Sequence, residues 1–236
     1  MTVEVVDKKE KKDELEEAIN QCKPILKRDI IEMIRNQPFH GKIILMTQRI
    51  FTTVVPIAAV NVVNGKMNLY INPLTYVEFP QNERVGILIH EMLHLELGHL
   101  FQLEGKNHEI ANLATDLSIN QMIPRNDKVS LPEETITRES ISKTFGIPLD
   151  LIPFKKNWET YYHMIIERMK ELGIDKLKDL FEQFVSDFIK DYETNGGRGS
   201  LSEEQIKNIT DYVNNSHEKW KESEGNEKVN ESIVKH

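Results

Sequence analysis

Residues 87–95 read Ile-Leu-Ile-His-Glu-Met-Leu-His-Leu, and this stretch constrains the chain more tightly than any other. His90 and His94 are four apart, about 40° from one another around a helix and one turn along it, so both imidazoles can converge on one point. Glu91 follows the first of them and can reach a water at that point, the position of a general base. Val85, Ile87, Leu88, Ile89, Met92, Leu93, Leu95 and Leu97 make the surrounding helix apolar on nearly every side, the mark of a buried helix. Burying two histidines and a glutamate without partners is costly. The plain alternative is a pair of core histidines satisfied by hydrogen bonds. A carboxylate set between two imidazoles at ligand spacing favours a metal ion instead, because few other arrangements compensate it.

Composition narrows the classes around that helix. The 236 residues are 39% hydrophobic and 29% charged, ordinary for a soluble globular protein of one moderate domain or a core with an appendage. A formal charge of −8 makes no electrostatic case for a nucleic-acid partner. The basic runs at residues 8–12 and 155–156 are short and read as solvated. Cys22 is the single cysteine, so no internal disulfide forms, and it reads as a small packing residue in a reducing compartment. Residues 1–17 lack the apolar core of a signal peptide, and no apolar run approaches a membrane span. The expectation is a cytoplasmic protein with no membrane partner.

Along the chain, residues 1–15 read as a flexible polar tail. Apolar residues then recur at helical spacing to about Asn36, with Pro24 expected to divide the run or open a second helix. Pro38-Phe-His-Gly41 reads as a turn or short connection with His40 on the surface, and residues 42–53 are ambiguous between helix and strand, leaning to helix as far as about Gln48. Residues 54–63 and 66–71, rich in β-branched and alternating apolar positions, flank Asn64-Gly65, a type I′ hairpin signal, and Asn72-Pro73 ends it. Asn82 is expected to cap the long helix, with Glu83 in its first turn, and Gly98 to end it. A second helix over residues 108–123 carries Asn112, Asp116 and Asn120 at spacings of four, a polar stripe flanked on both sides by apolar residues and so expected to face inward. Past Pro124 come loops, a short helix over 138–145, and one capped by Asn157 running to about Leu172. Further helices are expected over 176–192 and from the capping box Ser202-Glu-Glu-Gln205, after the flexible 195–199. The organisation expected is thus a tail over 1–15, a core over 16–125, a helical region over 126–222, and disorder over 223–236.

Two histidines need a third protein ligand and an open position for water. His99, His108, Asp116, Glu96 and His217 are the candidates. On a continued helix His99 falls nearly opposite His90 and could ligate only if the helix unwinds sharply at Gly98, so it suits a structural or ligand-supporting group better than a ligand. Glu96 is two residues beyond His94 and points elsewhere, and His108 opens a helix where it is exposed. Asp116, in the middle of the inward stripe, is the strongest third ligand, with Asn112 and Asn120 placed to hold its carboxylate or touch substrate.

His90-Glu-Met-Leu-His94 with Gly98-His99, followed by Asn112-x-Ala114-x-Asp116-x-x-Ile119-Asn120, resembles a family of predicted bacterial and phage zinc metallopeptidases. Longer members of that family carry a C-terminal von Willebrand A-like domain. Leu69-Tyr-Ile-Asn-Pro73, Trp158-Glu-Thr-Tyr161-Tyr162 and Ser216-His217-Glu-Lys-Trp220 resemble three flanking segments of the family, although Asn215 and Ser216 stand where acids are usual. The resemblance covers roughly residues 35–222. It implies an α+β, zincin-like core in which a small β-hairpin or sheet packs on the His-Glu helix, a helical C-terminal appendage, and Zn2+ held by His90, His94 and Asp116.

These readings lead to a zinc-dependent peptidase acting on a peptide or protein substrate, with Glu91 as general base. His99, His217, Tyr161 and Tyr162 are candidates to stabilise the developing oxyanion. The rival readings are a catalytically inactive, metal-stabilised regulatory or assembly protein, and an interaction module binding a partner protein through its C-terminal helices.

Overall fold

The computed structural model describes residues 3–103, 105–133 and 135–172. The helices expected over 176–192 and after Ser202, the 195–199 connection, His217 and the segment 223–236 lie outside the described residues. The architecture is α+β: eight α-helices and one three-stranded sheet among the described residues. The chain divides into two compact units, Met1–Leu100 with Ile123–Glu133, and Phe101–Met122 with Glu134–His236.

The first unit opens with α1 (Val3–Asn36). Cys22, Leu26, Ile30 and Met33 are buried at spacings of three and four, one continuous apolar stripe. That stripe corrects the expectation for Pro24, which lies inside an unbroken helix. Pro24 is on the exposed side, where the carbonyl it leaves unpaired can turn to water. Packing on the opposite side offsets the roughly 3 kcal/mol that an internal proline costs. α1 packs on α2 (Pro38–Leu45), α3 (Pro73–Tyr76) and α4 (Gln81–Glu96).

Residues 38–41 are no turn. Pro38 occupies the first position of α2, where its missing N–H is one of the helix's orphans in any case. Gly41 presses so close to α1 that a Cβ there would stand 2.7 Å from the Ile34 Cα. The helix ends at Leu45, short of the Gln48 it was expected to reach, and Gln48–Phe51, in the stretch ambiguous between helix and strand, forms β1. Its reason is non-local: β1 pairs in parallel with β3 (Lys66–Ile71), Gln48 opposite Asn68 and Phe51 opposite Ile71.

The hairpin stands as expected at its turn and starts later than expected. β2 (Ala58–Val63) pairs antiparallel with β3, Val63 opposite Lys66, around Asn64 and Gly65 at φ 51° and 73°. Both residues are left-handed, as a type I′ turn requires. Residues 54–57 stay out of the ladder; Pro56 has no N–H to give it. β3 is the middle strand, so both of its hydrogen-bonding edges are paired; Leu69 and Ile71 are buried, and so is Asn68, whose amide donates to the Asn61 side chain at 2.9 Å. Asn72 then closes the sheet and starts α3, its Oδ1 accepting from Leu74 N and its Nδ2 donating to the Val55 carbonyl. β2 packs on α4.

The second unit is helical. α6 (His108–Asn120) and α8 (Trp158–Leu172) pack together, with α7 (Arg138–Phe145) and a 3-10 turn, Leu149–Leu151, beside them. Leu103, Ile110, Ala114, Leu117, Phe145, Trp158, Tyr161 and Ile165 belong to its core. α7 sits where the sequence places it, closed by a Thr137–Ser140 capping box and by Gly146 at φ 59°, and Asn157 Oδ1 accepts from Thr160 at the start of α8. No helix among the described residues is long and apolar enough to cross a membrane.

Candidate metal centre

α4 begins one residue before the expected cap. Pro80 is the N-cap; Asn82 lies within the first turn, where its carbonyl accepts from Ser130 N at 3.0 Å. The helix is buried from Val85 to Ile89 and again from Glu91 to Leu93, with His90 and His94 half-buried. Their rings meet edge to face, centroids 4.8 Å apart, and the two Nε2 atoms are separated by 3.1 Å. Two nitrogens each about 2.05 Å from a tetrahedral zinc ion would stand roughly 3.3 Å apart. The pair therefore fits a shared cation with a shift of only tenths of an ångström. Glu91 is 8% exposed, a carboxylate carried by the same turn into the packed interior.

Gly98, left-handed at φ 68°, sets the course of the chain beyond α4. An uninterrupted helix would have turned His99 away from both histidines. The reversal instead brings its ring against His94, centroids 5.3 Å apart and Nδ1 to Nδ1 3.3 Å, with His99 3% exposed. His94 thus has His90 at its Nε2 and His99 at its Nδ1.

His40, expected on the surface, is only 19% exposed at its side chain and its Nδ1 lies 2.6 Å from Glu96 Oε1. α2 and α4 supply the two partners, so tertiary packing is what draws His40 inward. The contact also accounts for Glu96, which is directed at His40.

A further group anchors α4, one that the sequence patterns do not announce. Asp29 of α1 is fully buried and takes two hydrogen bonds from Arg84 of α4, Nε to Oδ2 at 2.7 Å and Nη2 to Oδ1 at 3.2 Å, and a third from the Tyr76 hydroxyl of α3 at 3.0 Å. Arg84 also donates to the Phe79 carbonyl. Burial works against the Arg84 charge, but the hydrogen bond and charge of Asp29 outweigh it and raise its pKa. Burial first, then Asp29, pushes the Tyr76 hydroxyl well up; the same two causes push the nearby Cys22 thiol up to about 11. The only sequence signal for this cluster is an arginine and an aspartate inside otherwise apolar helical patterns.

In the second unit, Asn107 caps α6, its Oδ1 accepting from the backbone N–H groups of Glu109 and Ile110. His108 is exposed, as expected. The polar stripe is graded along its length: Asn112 is exposed, Asp116 half-buried and Asn120 buried, with the Asn120 amide donating to the Ile136 carbonyl at 3.0 Å. The Tyr161 hydroxyl accepts from Gln121 Nε2 and Lys156 N, both at 3.0 Å, and donates to the Pro153 carbonyl at 2.9 Å. Those three bonds are the full capacity of a phenol, so Tyr161 holds the loop ahead of α8 and is removed from the oxyanion candidates. The Tyr162 hydroxyl accepts from Asn107 N at 3.1 Å.

Among known proteins, the chain is 31% identical over 116 residues to an uncharacterized protein of Thermotoga maritima; the match spans 46% of this chain and 29% of that relative. No solved structure matches it. A family model described as "Putative metallopeptidase domain" matches residues 25–233, which include α4, its two histidines and α6. The chain belongs to that family.

Proposed function

We propose that this protein is a zinc-dependent peptidase with a zincin-like core, in which His90, His94 and Asp116 hold the metal and Glu91 is the general base. The observation that carries this reading is the 3.1 Å separation of the two histidine Nε2 atoms on a helix in which a buried glutamate follows the first histidine. Two imidazoles with one carboxylate would leave the fourth position of a tetrahedral ion for water or substrate, the composition of a catalytic zinc site. A zinc ion bound there would lower the pKa of a water toward neutrality and polarise the scissile carbonyl.

The chain's own groups supply the remaining steps. Glu91 takes a proton from the attacking water and delivers it to the amine nitrogen as the peptide bond breaks. Its burial keeps that carboxylate in a fixed place and out of competition with bulk solvent. β2 is an edge of the sheet and packs on α4. The two-residue turn makes Val63 and Lys66 a hydrogen-bonded pair, so the alternate residues Ala58, Val60 and Val62 direct their backbone N–H and C=O away from β3. An extended substrate can pair with that edge through its own backbone, which makes a peptide or protein the substrate class.

The test is Glu91→Gln in protein loaded with zinc. The variant is expected to bind zinc as tightly as the parent and to lose hydrolysis of an unfolded protein substrate by about a thousandfold or more, toward the upper end of what a general base contributes. Undiminished turnover would remove Glu91 from the mechanism. Absence of zinc binding by the parent protein would end the metallopeptidase reading of this chain.

A further inference from the structure

We infer that His99 is a positioning residue for the metal centre: its Nδ1 accepts the Nδ1–H of His94, which leaves His94 Nε2 bare to bind the ion. This rests on the proposed zinc site and concerns how one of its ligands is kept competent.

A neutral imidazole carries one proton on two nitrogens, and only the bare nitrogen can bind a cation. His94 Nε2 faces His90 Nε2 at 3.1 Å, so for both to bind one ion the His94 proton must sit on Nδ1. The atom across from that Nδ1 is His99 Nδ1, at 3.3 Å. The rings stand at 78° to each other, edge to face, which lets a lone pair in the plane of one ring meet the N–H of the other. His99 is 3% exposed, so water cannot easily replace it. An acceptor at that place favours the tautomer with the proton on Nδ1 and keeps it off Nε2, the ligand atom. In this arrangement the proton of His99 sits on its Nε2.

The backbone is built to give this contact. Five residues along a helix would rotate His99 by about 140° from His94, and the left-handed turn at Gly98 removes that offset. Partners of this kind on the remote nitrogen of a ligating histidine are worth roughly ten- to a hundredfold in metal affinity.

The experiment compares His99→Phe, which keeps a ring and loses the acceptor, with His99→Asn, whose side-chain oxygen sits close to the place of Nδ1. Zinc dissociation constants are measured on the purified full chain by competition with a chromophoric chelator, and the unfolding temperature of each metal-free variant is recorded. His99→Phe is expected to weaken zinc binding roughly ten- to a hundredfold and His99→Asn to stay near the parent, with the metal-free unfolding temperatures alike. Parent-like affinity in His99→Phe, or equal losses in both variants, overturns the inference. If His99→Phe does not fold, long-range 1H–15N spectra of the zinc-loaded parent protein decide: a proton on His94 Nδ1 and on His99 Nε2 supports the inference, and either opposite tautomer overturns it. A parent protein that binds no zinc defeats the metal-site reading itself, whereas zinc binding that is lost in His90→Ala and indifferent to His99 defeats only this one.

Discussion

Arg84 grips Asp29 with two nitrogens, one on each carboxylate oxygen, at 2.7 and 3.2 Å, and Asp29 has no exposed surface. The pair joins the helix that carries the histidines to the first helix of the chain, and the Tyr76 hydroxyl adds α3 to the junction. Bidentate geometry and a third donor compensate the desolvation of the carboxylate, which an isolated buried charge could not survive. Removing one partner leaves the other charged and buried. Asp29→Ala is expected to destabilise the protein by about 3–5 kcal/mol in urea unfolding. A loss below about 1 kcal/mol would mean that water reaches Arg84 in the variant and that the pair is worth no more than a surface one.

Cys22 offers a pH-dependent readout of the same region. Its thiol ionises near 9.0 ordinarily and is pushed up to about 11 in the fold, by burial and then by Asp29. The folded state therefore holds a proton that the unfolded chain releases first. Stability from this group is complete below pH 9 and declines between there and about 11, by up to about 1.4 kcal/mol per pH unit. Tyr76, also raised, adds a decline of the same sign above its ordinary value. Cys22→Ala is expected to flatten the alkaline limb of the stability curve between pH 9 and 11, as followed by urea unfolding at each pH. In the native parent at pH 8, a thiol reagent should react only after denaturant is added.

Gly86 is where the segment 129–131 meets α4. A Cβ at Gly86 would stand 1.7 Å from the Ser130 carbonyl oxygen, backbone that cannot swing aside as a side chain would. Gly86→Ala is expected to cost about 1–3 kcal/mol, even though alanine favours the helix by about 1 kcal/mol. The measurement is thermal unfolding of the metal-free protein. A variant as stable as the parent would show that this segment does not rest on α4 in solution.

Zinc binding should separate the ligands from their neighbours. Replacing His90, His94 or Asp116 by alanine is expected to abolish zinc uptake at micromolar metal, read by chelator competition. Replacing Asn112, which is exposed, should leave it unchanged. Added zinc should raise the parent's unfolding temperature in proportion to the logarithm of free metal, and a chelator should reverse it, because binding to the folded state alone stabilises by mass action. Retained zinc in Asp116→Ala would assign the third ligand elsewhere.

Features that depend on neighbours along the chain are legible in the sequence alone. The Asn64-Gly65 turn, α4 with its two histidines in register, the stop at Gly98 and the capped α7 and α8 come from local backbone preference and hydrophobic period. Those forces act within one turn of helix or one hairpin. Pro24 inside an unbroken α1, the choice of strand for residues 48–51, the His40–Glu96 contact and the Asp29–Arg84–Tyr76 junction are not legible there, because each depends on a partner far along the chain. Packing against those partners outweighs the local preference of Pro24 and decides the ambiguous residues 48–51. His99 lies between the two cases: the glycine before it announces a reversal, but only the folded chain sets its Nδ1 against that of His94. Local chemistry placed the two histidines on one helix face, and long-range packing chose what stands behind them.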